Sequence, residues 1–204
     1  MVIDLATLKP AQVYFHMVQT LVPRPVAWVL SEIEQDKYNL APFSYFNAVC
    51  SDPPLIMLSV GKKPDGSLKD TRVNIERHKD FVIHIAQHDM LEDINASSAT
   101  VAADVSELEQ LGIETTAFEG SRLPRIKACR IAYACTCYEI HELGNTPQSI
   151  IYGKIGQLYI DDAITSITDR GRLKVHAEKL DPVARLGADE YMGFGNVIHL
   201  KRPA

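Results

Sequence analysis

The sequence predicts a mainly β protein with short helices, built as an antiparallel barrel, and three observations carry that expectation. Six segments (26–30, 38–50, 55–60, 80–85, 129–143 and 148–160) have the apolar or alternating composition of strands. The two longest flank a single turn, Gly144-Asn-Thr-Pro147, as the arms of an antiparallel hairpin do. Helical patterns are brief and scattered, which leaves sheet to form the core. The totals agree. A chain of 204 residues suffices for one well-buried domain and is short for two, and 46% hydrophobic with 23% charged residues is a globular composition, not a disordered one.

Residues 7 to 20 fit a short helix, with Thr7 as cap and Pro10 in the first turn; Pro23-Arg24-Pro25 ends it, because a residue before proline avoids the helical region. Val26 to Leu30 is the first strand, and the polar link Ser31 to Lys37 leads into a strand over Tyr38 to Cys50. Leu55 to Val60 reads as a buried strand, Gly61 to Gly66 as a loop, and Ser67 to Lys79 as a helix whose start has the Ser67/Asp70 spacing of a capping box. Asp80 to Ile85 sets Phe81, Ile83 and Ile85 against Val82 and His84, a strand with one apolar face. Two short helical patterns follow, Met90 to Ser98 and Val105 to Leu111, whose acidic residues mark a solvated face. Within the last hairpin, Gly153 and Gly156 predict a bulge or close backbone contact. Val197 to Leu200 completes the strands.

Several function classes are excluded. A net charge of −5 without any Lys/Arg run does not suit nucleic acid. No segment approaches the roughly 20 apolar residues of a membrane helix, and Met1-Val-Ile-Asp4 lacks the order of a secretory leader, so a cytoplasmic setting without a membrane partner is expected. Cys129, Cys135 and Cys137, read as sharing one strand face, are expected to be buried structural thiols. No cysteine or histidine spacing suits a metal, and His84 and His88 read as satisfied or solvated. No phosphate-binding glycine fingerprint opens a helix.

One stretch breaks the core-filling pattern. Asn39 to Pro54 holds Phe43, Ser44, Phe46, Asn47, Ala48, Cys50 and Ser51, with prolines at 42, 53 and 54 that cannot donate to a sheet. Free backbone groups and short polar side chains beside aromatic faces suit a flat, polar-edged ligand. At the start of the 67–79 helix, Lys69 and Thr71 stand where free N–H groups and the helix dipole favour an anion such as a phosphate.

Asn39-Leu-Ala-Pro-Phe-Ser-Tyr-Phe-Asn-Ala-Val through Ser51-Asp-Pro-Pro resembles the flavin-contacting segment of the flavin reductase-like, FMN-binding split-barrel proteins, the group that includes flavoredoxin. Pro23-Arg24-Pro25-Val-Ala upstream, Lys69-Asp-Thr71-x-x-Asn74-Ile downstream and Pro182-Val-Ala-Arg185-Leu-Gly187 with Tyr191 fit the same pattern in order, over residues 10 to 200. Ala188 stands where that pattern usually has a second glycine. The resemblance implies a split barrel in one domain over 1–204, and FMN in a groove at a homodimer interface. It places residues 43 to 51 at the ring and ribityl chain, Arg24, Lys69, Thr71 and Asn74 at the phosphate, and Arg185 and Tyr191 near the flavin or substrate. The expected function is an FMN-dependent oxidoreductase of the NAD(P)H:flavin reductase type. A flavoredoxin-like carrier exchanging electrons with a redox protein, and a flavin-free barrel binding another small molecule or partner, are the alternatives. No catalytic residue of the chain itself stands out.

Overall fold

The computed structural model describes residues 1–145, 148–201 and 203. After a short 3₁₀ turn capped by Asp4, Pro10 opens α1 (Pro10–Thr20). Thr7 belongs to the preceding turn, and Lys9 takes the cap position instead, its N–H donating to the Gln12 side chain at 3.1 Å. The chain then runs through β1 (Arg24–Pro25), β2 (Ala27–Glu34), β3 (Lys37–Phe43), β4 (Phe46–Ser51) and β5 (Pro54–Val60). The single strand expected over 38–50 is therefore two strands, broken at Ser44-Tyr45.

α2 (Asp70–His78) begins at Asp70, with Lys69 at its cap and no capping box. Ser67 is held instead by Asp65, through its N–H at 2.9 Å and its hydroxyl at 2.6 Å, while Asp70 pairs with Lys63 at 2.7 Å. Next come β6 (Asp80–Ile85), α3 (Leu91–Ala96), α4 (Glu107–Gln110), β7 (Thr115–Thr116), β8 (Arg125–Ile126), β9 (Ile131–Leu143) and β10 (Gln148–Ile160). The turn expected between β9 and β10 is seen at Gly144 and Asn145; Thr146 and Pro147 lie outside the described residues. The chain closes with β11 (Thr165–Ile167), β12 (Leu173–Val175), α5 (Ala177–Leu180), β13 (Ala184–Arg185) and β14 (Tyr191–Met192). Residues 197–200 form no strand: Ile198 and Leu200 are 79% and 88% exposed and pair with no strand among the described residues.

Seven strands form one antiparallel sheet in the order β3-β2-β6-β9-β10-β5-β4. Its curvature follows from packing. Ala27 and Val29 of β2, Phe81 and Ile83 of β6, Ile151 of β10, and Ile56 and Leu58 of β5 meet in one cluster with Ile75 of α2. One face of the sheet thus closes on itself as a split barrel, with β3 and β4 as its two edges. The other face is also covered. Trp28, Leu30 and Val82 pack under Ile94, Leu108, Phe118 and Leu123, and the Trp28 indole donates to Ser97 Oγ at 2.9 Å. β6 is therefore buried on both faces, not one, because residues 88–129 fold back over it.

The glycines in β10 mark two register shifts against β9, at Tyr152/Gly153 and Ile155/Gln157. A Cβ on Gly153 would stand 2.5 Å from Cζ of buried Phe81, so the close approach expected there is present. Cys129 and Cys135 are buried in opposite clusters, not on one strand face, because Cys129 lies ahead of β9. Burial pushes the Cys129 thiol up to about 12 and raises those of Cys135 and Cys137, which keeps all three protonated at neutral pH.

Candidate functional site

The two edges of the sheet are joined by Ser44-Tyr45, and a cleft opens at that link. Pro42 is tolerated in β3 because an edge strand can leave one N–H unpaired. The cleft holds about 390 Å³ and is lined by Tyr14 of α1, Phe43, Ser44, Tyr45, Lys69 and Gln148, among others. Tyr14 and Tyr45 stand with ring centroids 6.4 Å apart, and Lys69 Nζ lies 5.8 Å from the Phe43 ring centroid. Two smaller cavities share Pro42 with this cleft. One, of 70 Å³, lies between Lys69, Thr71, Ser98 and Glu107; the other, of 170 Å³, lies between Phe43, Ser44, Arg185 and Tyr191.

The structure gathers some of the expected residues and separates others. Phe43, Ser44 and Lys69 line the main cleft. Phe46 is half-buried against the barrel interior, and Asn47, Ala48, Cys50 and Ser51 are exposed along β4. Asn47 Oδ1 accepts the Ala48 N–H at 2.8 Å, and Cys50 Sγ donates to the Pro53 carbonyl at 3.1 Å. Arg24, expected at the phosphate, borders none of the three cavities, and its side-chain nitrogens are engaged by the protein. Its Nη1 donates to the Val18 and Leu21 carbonyls at 2.7 and 2.8 Å, its Nη2 to the Leu186 carbonyl at 2.7 Å, and its Nε to Ser44 Oγ at 3.3 Å. Arg24 thus ties the end of α1 to the C-terminal segment and steadies Ser44. Thr71 borders only the smallest cavity, and Asn74 borders none of the three. Both belong to a buried polar chain: Asn39 Nδ2 donates to Thr71 Oγ1 at 2.9 Å, and Asn74 Nδ2 to Ser31 Oγ at 3.3 Å.

Arg185 stacks on Tyr191, its guanidinium carbon 4.3 Å from the ring centroid, and donates through Nη2 to the Ala188 carbonyl. The Tyr191 hydroxyl reaches Asn95 Oδ1 at 3.4 Å. Sequence reasoning missed Tyr14, Tyr45, Gln148 and Glu107. Tyr45 lay inside the singled-out stretch, whereas Tyr14 and Gln148 arrive from distant elements and carry no local signal. Glu107 contradicts the solvated-face expectation for residues 88–112: it is buried, accepts the Leu40 N–H at 3.0 Å, and burial raises its carboxyl above the usual range. The Tyr45 hydroxyl is shielded from water and has no hydrogen-bond partner among the described residues, and burial raises its pKa.

Comparison with known proteins agrees with this geometry. The flavin reductase like domain family matches residues 18–173. Nitrilotriacetate monooxygenase component B from Bacillus cereus superposes with a TM-score of 0.88 at 29% identity, covering 98% of each chain. The 2-nitrobenzoate 2-nitroreductase NbaA of Pseudomonas fluorescens gives 0.87 at 28% identity, over 100% of this chain and 96% of its own. Flavoredoxin of Desulfovibrio vulgaris gives 0.71 at 20% identity over 98% and 97%, which is a likeness of fold. With a matching domain over most of its length, a split barrel and a cleft at its joined edges, the chain belongs to the flavin reductase-like family and is a flavin-related redox protein.

Proposed function

We propose that this protein is an FMN-dependent oxidoreductase of the NAD(P)H:flavin reductase type, working as a homodimer. The observation that carries the reading is the cleft at the end of β3, with three aromatic walls and a cation, Lys69, at the start of α2. Its 390 Å³ falls within the range of about 300–1,000 Å³ found for cofactor and small-molecule sites. Tyr14, Phe43 and Tyr45 offer faces for a flat ring, while Ser44, steadied by Arg24, and the Gln148 amide offer polar contacts to its edge. Lys69 would hold the phosphate, helped by the free N–H groups of the first turn of α2 and its dipole. Thr71 and Asn74 support that turn from the interior. The bound flavin supplies two-electron chemistry, and the chain supplies position and shelter from water. NAD(P)H as donor fits a family whose similar members include a monooxygenase component and a nitroreductase.

Two exposed surfaces support the homodimer. β4 is an outer strand without charges or prolines, which are the usual means of blunting such an edge. α1, which reaches the cleft through Tyr14, leaves Tyr14 and Phe15 61% and 53% exposed. A second copy covering both would close the open side of the cleft. The free thiols suit a reducing, cytoplasmic setting.

Calorimetric titration of FMN and riboflavin into wild type and Lys69→Ala tests the cofactor assignment. Loss of a partly solvated charged contact should weaken FMN about tenfold and leave riboflavin nearly unchanged. Equal weakening of both would remove Lys69 from the phosphate.

A further inference from the structure

β11 and β12 form a short antiparallel ribbon that runs directly into α5, and none of its residues borders the cleft or the two cavities beside it. The register sets Ser166 opposite Lys174, so both side chains leave one face with Cβ atoms about 5 Å apart. His176 lies two residues beyond Lys174 in extended backbone (φ −90°, ψ 103°), which returns its ring to that same face. Three backbone hydrogen bonds pin it there. Its N–H donates to the Ile164 carbonyl at 2.8 Å, and its carbonyl accepts the Lys179 and Leu180 N–H groups, each at 3.0 Å. The result is a chain of three side chains: Ser166 Oγ lies 2.8 Å from His176 Nε2, and His176 Nδ1 lies 3.2 Å from Glu178 Oε1.

The direction of that chain follows from charge. The Glu178 backbone N–H, then the His176 ring and Lys174, hold the Glu178 carboxyl below the usual range, so it is an ionised acceptor at neutral pH. The Nδ1 proton therefore faces Glu178, and the Nε2 lone pair is left for the Ser166 hydroxyl. Nucleophile, base and orienting carboxylate stand in the order that activates a serine. Access is also met: Ser166 is exposed and the His176 side chain is 19% exposed, so an acyl carbon can reach Oγ. We propose that Ser166, His176, Glu178 and Lys174 form a surface acyl-transfer site for small activated carboxylic esters and thioesters. Ser166 Oγ bonds to the acyl carbon while its proton passes to His176 Nε2, and the Lys174 ammonium offsets the charge on the carbonyl oxygen. The bond from the acyl carbon to the leaving oxygen or sulfur then breaks, the leaving group takes the proton from His176, and a serine ester remains. Water, giving its proton to the same nitrogen, releases the acid and restores Ser166. Because Ser166 is open to solvent, the leaving group must itself be a good one, which limits the class to activated acyl donors.

The test is incubation of the full-length protein with p-nitrophenyl acetate, following release of p-nitrophenolate and locating acetyl groups by peptide mass spectrometry after an acid quench. Wild type should release p-nitrophenolate faster than Ser166→Ala and should carry an acetyl group on Ser166. Neutral hydroxylamine should remove that group, because it cleaves an ester and leaves an acetylated lysine intact. His176→Gln should slow the Ser166-dependent release about a hundredfold or more. Glu178→Gln, at an exposed side chain, should slow it by a smaller factor, and it serves as the second variant should His176→Gln loosen the start of α5. Release by wild type no faster than by Ser166→Ala overturns the proposal. So do acetyl groups confined to hydroxylamine-resistant lysines, or a rate indifferent to both His176→Gln and Glu178→Gln.

Discussion

His84 couples the stability of the barrel to pH. It is fully buried, its Nε2 accepts the Ile126 N–H at 2.9 Å, and its Nδ1 faces the Trp28 carbonyl at 3.1 Å, so the proton sits on Nδ1. Protonating Nε2 would set a second N–H against that of Ile126. Burial lowers the pKa from 6.5 to about 4. The unfolded chain then binds the extra proton first as pH falls. The contribution of His84 is complete above pH 6.5 and is lost between there and about pH 4. Urea unfolding should therefore show a loss of about 2 kcal/mol between pH 7.5 and pH 5 in wild type. His84→Gln, less stable at pH 7.5, should be nearly flat over that range; an equal slope in both proteins would assign the pH dependence to other groups. Ala188 shows a different residue-scale cost. Its φ of 49° lies in the left-handed region that glycine favours, at the position where the family pattern has a second glycine, and disfavours alanine by about 1–2 kcal/mol. The turn is held nonetheless by the Leu186 N–H to the Glu190 carbonyl at 3.0 Å, the Glu190 N–H to the Gly187 carbonyl at 3.0 Å, and Arg185 on Ala188.

At the scale of elements, the decisive piece is the pair β3–β4. A continuous strand was the natural reading of 38–50, because Phe43-Ser-Tyr-Phe46 has nothing that breaks strand conformation by itself. The break is imposed from outside: the same chain supplies both edges of the sheet and must cross from one to the other at Ser44-Tyr45. That crossing creates the cleft. It also leaves β4 with an open outer side, and Val49, 48% exposed, is its largest aliphatic side chain there. Val49→Lys should blunt this edge. Light scattering on the eluting protein should then give twice 22.7 kDa for wild type and 22.7 kDa for the variant. A wild-type mass of one chain would contradict the homodimer.

Over the whole molecule, the long strands of the main sheet were legible because their apolar periodicity is local, and so were the glycine bulges of β10. What escaped the sequence depends on layers meeting. The double burial of β6 and the buried carboxyl of Glu107 both follow from residues 88–129 folding over the outer face of the barrel, which no single segment encodes. Part of the candidate site was similarly legible. Phe43, Ser44 and Lys69 were visible as a motif and converge in the cleft, whereas Arg24 and Asn74 carry motif positions yet make internal hydrogen bonds. Motif membership therefore marked the neighbourhood of the cleft, and only the fold separates the residues that line it from those that pack behind it. The most direct test of the central claim is the visible spectrum of the purified protein, before and after FMN and then NADH or NADPH. Flavin bands that are retained or restored by FMN and bleach rapidly with a reduced nicotinamide are the predicted result. Bands that persist under both nucleotides would contradict the reductase and favour an electron carrier served by another donor, and a protein that neither carries nor takes up FMN would contradict the flavin site itself.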